Sequence, residues 1–190
     1  LSSSGFLLVI TAPSGTGKTT IYKKVLTRNT DLAFSVSYST RRKREDETQG
    51  VDYFFVNKKT FQQMREDGAF LEWANVHGDL YGTEKKQIEK FLKEGRVCIL
   101  DLDVQGALNV MKLFPDAVTV FIKPPSLDEL DRRLQKRGTE KEKEVKQRLL
   151  NAQKELEYMS YFQYIIVNDT VENSVKKLEE IIESEINRRG

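Results

Sequence analysis

The sequence predicts an α/β fold in three layers: a parallel sheet covered by helices on both faces. Two observations carry that reading. Residues 6–11, 97–102, 118–122 and 164–167 are almost continuously apolar and β-rich, as strands buried on both faces are. Between them lie longer stretches with apolar residues at helical spacing, as right-handed β-α-β crossovers require. A third observation places the working end of the sheet. The first run feeds directly into Ala12-Pro13-Ser14-Gly15-Thr16-Gly17-Lys18-Thr19, and a helical pattern follows.

Strand, glycine-rich loop and helix, in that order, make a phosphate-binding P-loop. Gly15 and Gly17 let the backbone turn so that successive N–H groups face phosphate oxygens. The helix behind them aims its positive end at the same point. Lys18 reaches the β- and γ-phosphates as a point charge, and the Thr19 hydroxyl is a Mg²⁺ ligand. One position departs from the usual pattern: Ala12 stands where its first glycine does.

Composition narrows the function classes. The chain has 190 residues, enough for one domain with a sizeable core. Its 31 basic and 29 acidic residues leave a net charge of +2, so no bulk field draws it to nucleic acid or a membrane. The single cysteine, Cys98, precludes an internal disulfide and suits a reducing compartment; its apolar neighbours make it a core residue. A lone histidine, His77, leaves no room for a histidine metal cluster or a Ser-His-Asp triad. No apolar run is long enough to span a bilayer, and the run after Gly5 reads as a strand, not a secretion signal. The expected setting is cytoplasmic, with small-molecule partners and a monomer or homodimer.

Two regions break the alternating pattern. Residues 34–40 alternate apolar and polar, as a half-exposed strand does. A second short strand is expected over 51–56 after a turn at Gly50, and a short helix over 60–66. Together they suggest a small mixed α/β insertion. Residues 132–148 are dense in charge and nearly free of aliphatics, which fits either a solvated helix–loop–helix or a mobile lid. The chain closes with an amphipathic helix carrying Val171, Val175, Leu178, Ile182 and Ile186. Asp169, Thr170 and Glu172 offer a cap near its start.

Three constellations bear on chemistry. Asp101 ends a buried strand expected beside the P-loop strand, where a carboxylate can join a Mg²⁺ shell; Asp103 is expected on the same face. Arg41-Arg42-Lys43-Arg44 is the main basic cluster, but it is short and Glu45-Asp46-Glu47 follows it. A phosphate clamp for a small ligand suits it better than a nucleic-acid stripe. Glu72 lies among Phe70, Leu71 and Trp73. Spacing alone leaves it as either an ordinary exposed carboxylate or a screened one in need of donors.

At this point the chain resembles the guanylate kinase family over nearly its whole length. Beyond the P-loop, the resemblance rests on Phe34-Ser-Val-Ser-Tyr-Ser-Thr-Arg41 with Arg44, Gly50-Val-Asp-Tyr53, Phe70-Leu-Glu-Trp73 and Tyr81-Gly-Thr83. It continues through Ile99-Leu-Asp-Leu-Asp-Val-Gln-Gly106, Pro124-Pro-Ser126, Arg137-Gly-Thr-Glu140 and Val167-Asn-Asp169. It implies a three-layer P-loop NTPase core over residues 1–33, 93–132 and 149–190, a GMP-binding insertion over 34–92 and a helical lid over 133–148. The implied reaction is direct in-line transfer of phosphate from ATP to GMP, and to dGMP, with Mg²⁺ as cofactor.

Roles carry over onto matching positions. Arg41, Arg44, Tyr53 and Tyr81 correspond to residues that hold the GMP phosphate; Ser37, Glu72, Thr83 and Asp103 to those around guanine. Ser14, Gly15, Thr16, Gly17, Lys18, Thr19 and Thr20 form the implied ATP-phosphate loop, with Thr19 and Asp101 toward the metal. Arg133, Arg137 and Arg148 correspond to arginines that reach the transferring group, and Asn168 to a position near adenine. Lys18, Arg41, Arg137 and Arg148 are the implied catalytic charges. The choice of Glu72 has a chemical reason: guanine presents two adjacent donors that one carboxylate accepts together, whereas adenine presents an acceptor there. Two rival readings meet opposition from the residues themselves. A non-catalytic binding module is opposed by the intact Gly15, Gly17, Lys18 and Thr19. A kinase for another nucleoside monophosphate is opposed by Glu72 with Ser37 and Thr83.

Overall fold

The computed structural model describes residues 5–76, 78–136 and 142–190, with side chains from 145 onward in the last segment. The chain runs β1 (Leu7–Thr11), α1 (Lys18–Arg28), β2 (Ala33–Phe34), β3 (Tyr38–Ser39), β4 (Phe54–Phe55), α2 (Lys58–Glu66), β5 (Phe70–Val76) and β6 (Asp79–Glu84). It continues through α3 (Lys85–Lys93), β7 (Cys98–Asp101), α4 (Val104–Leu113), β8 (Val118–Lys123), α5 (Leu127–Lys136), α6 (Glu142–Leu156), β9 (Tyr164–Val167) and α7 (Val171–Arg189).

Five strands form the core sheet in the order β2-β7-β1-β8-β9, and every pairing in it is parallel. Alternation along β1 splits the core in two. Leu8 and Ile10 join Ile21, Val25, Val175, Leu178 and Ile182 on the face covered by α1 and α7. Leu7 and Val9 join Ile88, Val104, Ala107 and Val110 on the face covered by α3 and α4. The three expected layers are therefore present, each built by the period-2 placement of strand side chains. Cys98 is buried in the second cluster, and burial pushes its thiol up to about 12. Thr170 caps α7, its side chain accepting from the Asn173 N–H.

The central strand matters most for function. From β1 the chain leaves through α1 to β2 on one side, while β8 lies on the other. The crevice at the carboxyl ends of β1 and β7 is thus a topological switch point, where open α/β sheets bind ligands. The β1–β7 register sets Ile10 opposite Asp101, so Asp101 comes out beside the start of the P-loop.

A second sheet, β4-β3-β6-β5, is mixed: β3 pairs in parallel with β4 and antiparallel with β6. It is held by aromatic packing. Phe61 of α2 lies 4.5 Å from Phe70, and Tyr38 stacks on Phe54 at 4.8 Å. Gly82 in β6 is required by this packing, because a Cβ there would stand 2.9 Å from the Phe70 ring and 3.0 Å from Phe61.

Two expectations are corrected. Residues 34–40 do not make one strand: Phe34 pairs with Ile99 in the core sheet, whereas Tyr38 and Ser39 pair in the second. The alternation was real but straddled a crossing between sheets. The strand over 51–56 contracts to Phe54–Phe55, since residues 48–52 form turns around the Gly50 left-handed position. Around the charged segment, Leu130, Leu134, Val145 and Ala152 form a separate buried cluster.

Candidate active site

The P-loop leaves β1 and enters α1 through two left-handed glycines, Gly15 at φ +88° and Gly17 at φ +97°. Close packing adds to the demand for glycine: a Cβ at Gly15 would stand 2.7 Å from Leu134 Cδ2, and one at Gly17 2.8 Å from Asn168 Nδ2. No side chain caps α1, so the first-turn N–H groups are left for an anion.

Beneath the loop lies a polar support. The Asn168 amide donates to the Thr16 carbonyl at 2.6 Å and accepts from Ser174 Oγ at 2.9 Å. Arg133 donates to the Thr16 carbonyl at 3.4 Å and to the Asn168 carbonyl at 3.1 Å. Glu129 holds the same guanidinium at 2.7 Å. Thr16 and Asn168 are both buried; in this geometry they and Arg133 brace the loop from behind.

Lys18 turns toward the end of β7. Its ammonium pairs with Asp101 and donates to the Leu102 carbonyl at 2.8 Å. The Tyr22 side chain lies near Asp101 and Thr19. Burial and then the Asp101 charge push its pKa up, so it stays a donor.

A cleft of about 370 Å³ brings the two halves of the site together. Ser14, Gly15, Gly17, Lys18, Thr19, Thr20 and Asp101 line one end; Ser37, Arg44, Tyr53, Glu72, Tyr81 and Asp103 line the other. Arg148 reaches it from α6. Thr83 and Arg41 stand one layer back, each bonded to a carboxylate. Arg137 lies outside the described residues.

Glu72 is screened. It is 7% exposed, and the Thr83 hydroxyl donates to its Oε1 at 2.6 Å. Burial, opposed by that bond and reinforced by Asp103, pushes its pKa up to about 7. The α4–β5 contact builds the surroundings. Asp103 lies past the end of β7, not on it, and caps α4 by accepting from the Gly106 N–H at 2.8 Å. A Cβ at Gly106 would stand 3.0 Å from both Glu72 Oε2 and Asp103 Oδ1.

Arg41 makes a two-pronged pair with Glu47, at 2.6 and 3.0 Å, with its guanidinium 5.5 Å from the Tyr53 and Phe55 ring centroids. The Glu47 bond raises the Arg41 pKa. Burial works to raise the Glu47 pKa, but the Arg41 fork and the Arg44 N–H prevail and hold it low.

Sequence reasoning missed four residues here. Tyr22, Asn151 and Glu155 carry no motif that singles them out, and Glu47 reads only as part of the acidic run 45–47. Asn151 and Glu155 line the cleft with Arg148 and Ala152. Their spacing of 148, 151, 152 and 155 is one helical face, a signal that was readable beneath the surrounding charge. Burial raises the Glu155 pKa to about 7, against the pull of Lys18.

A P-loop at the switch point of a parallel sheet, facing a subsite with a buried carboxylate, defines a nucleotide-dependent phosphotransferase of the P-loop kinase class. The guanylate kinase family model matches residues 4–185. A guanylate kinase of Thermotoga maritima is 49% identical over 181 residues, covering 95% of this chain and 87% of the relative. One from Caldanaerobacter subterraneus subsp. tengcongensis is 44% identical over 185 residues, covering 97% and 90%. The crystal structure of guanylate kinase from Anaplasma phagocytophilum superposes with a TM-score of 0.81 at 32% identity, covering 96% of this chain and 87% of that one. The chain belongs to the guanylate kinase family.

Proposed function

We propose that this protein is a guanylate kinase that moves the γ-phosphoryl group of ATP directly to GMP, reversibly, and accepts dGMP as well. The observation that carries the reading is Glu72, a buried carboxylate with one bound donor, in the same cleft as the P-loop. A guanine edge offers the N1–H and N2 amino donors such a carboxylate lacks. Adenine would set an acceptor against it and leave it unpaired, a difference that hydrogen-bond readout makes worth several orders of magnitude.

The acceptor phosphate is already anionic, so the reaction needs positioning and positive charge in place of a strong base. The P-loop N–H groups and Lys18 hold the ATP phosphates. Lys18 must leave Asp101 to do so. Arg44, Tyr53 and Tyr81 face the GMP phosphate with Arg41 behind them. Arg148 and Arg137 supply charge where the transferring group develops it. Thr19 and Asp101 suit Mg²⁺: both are hard oxygen donors at the same end of the cleft, and two protein ligands match a cation that keeps phosphate and water ligands. When bound, Mg²⁺ draws charge from the polyphosphate oxygens. Residues 34–92 serve as the GMP unit and 133–148 as a lid; Arg133 anchors the lid's base to the P-loop.

The test is a coupled ADP-release assay with GMP, dGMP, AMP, UMP and dTMP as acceptors. Activity with GMP and dGMP alone is expected. Equal turnover with AMP would remove Glu72 as the base reader, and no turnover with any acceptor would favour a binding module.

A further inference from the structure

Glu47 lies between β3 and β4, and its side chain is only 12% exposed. Its carboxylate has three partners. Oε1 accepts from Arg41 Nη2 at 2.6 Å, and Oε2 accepts from Arg41 Nη1 at 3.0 Å and from the Arg44 backbone N–H at 2.8 Å. The chain closes further around it: Arg41 Nη1 also donates to the Arg42 carbonyl at 2.9 Å, and Lys43 Nζ to the Glu47 carbonyl at 2.9 Å. One carboxylate therefore fixes the side chain of the first arginine and the backbone of the second.

We propose that Glu47 is the positioning residue of the phosphate clamp, holding Arg41 and Arg44 as one preset unit. The inference rests on the reading of those arginines as the clamp for the GMP phosphate. Two physical effects of Glu47 oppose each other. Its negative charge beside an anion site cuts the clamp from two positive charges to one, which weakens attraction. Its bonds hold a long, flexible side chain in place before the ligand arrives, which strengthens binding by removing an ordering cost. The two-pronged geometry and low exposure make the second effect the larger, because a forked pair fixes a guanidinium plane as a single contact does not.

The sign of one measurement separates the two effects. Calorimetry would compare GMP with guanosine, which lacks the phosphate, on the parent protein and on Glu47→Gln and Arg41→Lys. Glu47→Gln keeps the shape but turns one acceptor into a donor facing the fork. GMP affinity is expected to fall about tenfold, with guanosine affinity within about twofold of the parent. Arg41→Lys should weaken GMP to a similar degree, and the double variant should lose little more. Unchanged or tighter GMP binding in Glu47→Gln, with Arg41→Lys still weakened, would overturn the positioning role and leave the clamp standing. An equal fall for GMP and guanosine would also overturn it, making Glu47 a support of the insertion's fold. Normal GMP binding by Arg41→Lys would instead remove the clamp reading itself.

Discussion

The Thr83 hydroxyl donates to Glu72 Oε1 at 2.6 Å, while glycine at 106 leaves room beside Oε2, 3.0 Å from where a Cβ would stand. One oxygen is anchored by a hydroxyl and the other lies against a residue without a side chain, which in the proposed function leaves the carboxylate to receive a pair of donors. Glu72→Gln should therefore lower kcat/KM for GMP by about 2–4 kcal/mol and leave KM for ATP within about twofold. Steady-state kinetics with each substrate varied in turn would check this, and unchanged GMP kinetics would place the base reader elsewhere.

The raised pKa gives a pH signature. With the Glu72 pKa pushed up to about 7 in the free protein, the carboxyl is protonated below that pH and cannot accept both guanine donors. Affinity for guanosine should rise as pH climbs toward about 7 and level off above it. Guanosine is the better probe because it has no phosphate ionising in the range. Glu72→Gln should flatten the profile, as binding measured from pH 5.5 to 8.5 would show.

The same shift has a cost in stability. A carboxyl whose folded pKa lies above its ordinary value binds more protons folded than unfolded between the two, so stability falls as pH rises from about 4.5 to about 7. Above pH 7 the penalty is complete, at most about 3 kcal/mol. Glu72→Gln should raise the Tm of the ligand-free protein at pH 8 and change it little at pH 4.5. Calorimetric melts at the two pH values give the comparison.

Lys18→Ala removes the ammonium that pairs with Asp101 and that the proposed mechanism sets on the transferring group. Turnover at saturating ATP should fall by about 10²–10³ or more. The fold should persist, because the two side chains are 17% and 12% exposed and the carboxylate left behind can draw in water. Turnover within tenfold of the parent would end the catalytic assignment.

Gly17→Ala meets two obstacles at once, a φ of +97° and the Asn168 amide 2.8 Å from the new Cβ. Relief would push Asn168 off the Thr16 carbonyl and loosen the loop. A loss of about 1–3 kcal/mol in stability, with ATP affinity reduced more than GMP affinity, is expected from melts and titrations.

How far the sequence could be read follows from which interactions are local. β1, β7, β8 and the P-loop were plain because a doubly covered strand is apolar residue by residue, and Gly15 and Gly17 answer a backbone demand at their own positions. Glu72 was ambiguous because its burial is made by α4, which contacts β5 only in the folded chain. Family resemblance implies its role, and its burial and the Thr83 bond are what support that reading. Glu47 was invisible because its partner Arg41 lies six residues away along an irregular loop, a spacing no helix or strand rule covers. The split of 34–40 was hidden for a related reason: alternation continues unbroken whether a strand stays in one sheet or passes to another.

That passage between sheets has a mechanical consequence. The Ser35 amide still donates to Ile99 in the core sheet at 3.0 Å, and the Ser37 carbonyl already accepts from Phe54 in the second sheet at 2.9 Å. Only Val36 lies between, and both its backbone groups are taken by one side chain: its N–H donates to Gln87 Oε1 at 3.0 Å, and its carbonyl accepts from Gln87 Nε2 at 3.2 Å. Gln87 belongs to α3, the element through which the chain returns from the second sheet. The outgoing chain and the returning helix are thus buttoned to each other at one residue. No sheet ladder bond holds Val36 itself, so Gln87 is what fixes the chain at this crossing. Gln87→Ala should speed hydrogen exchange at the Val36 amide and leave the amides of Leu8 and Ile10 protected, so the crossing would work loose while the core sheet stays closed.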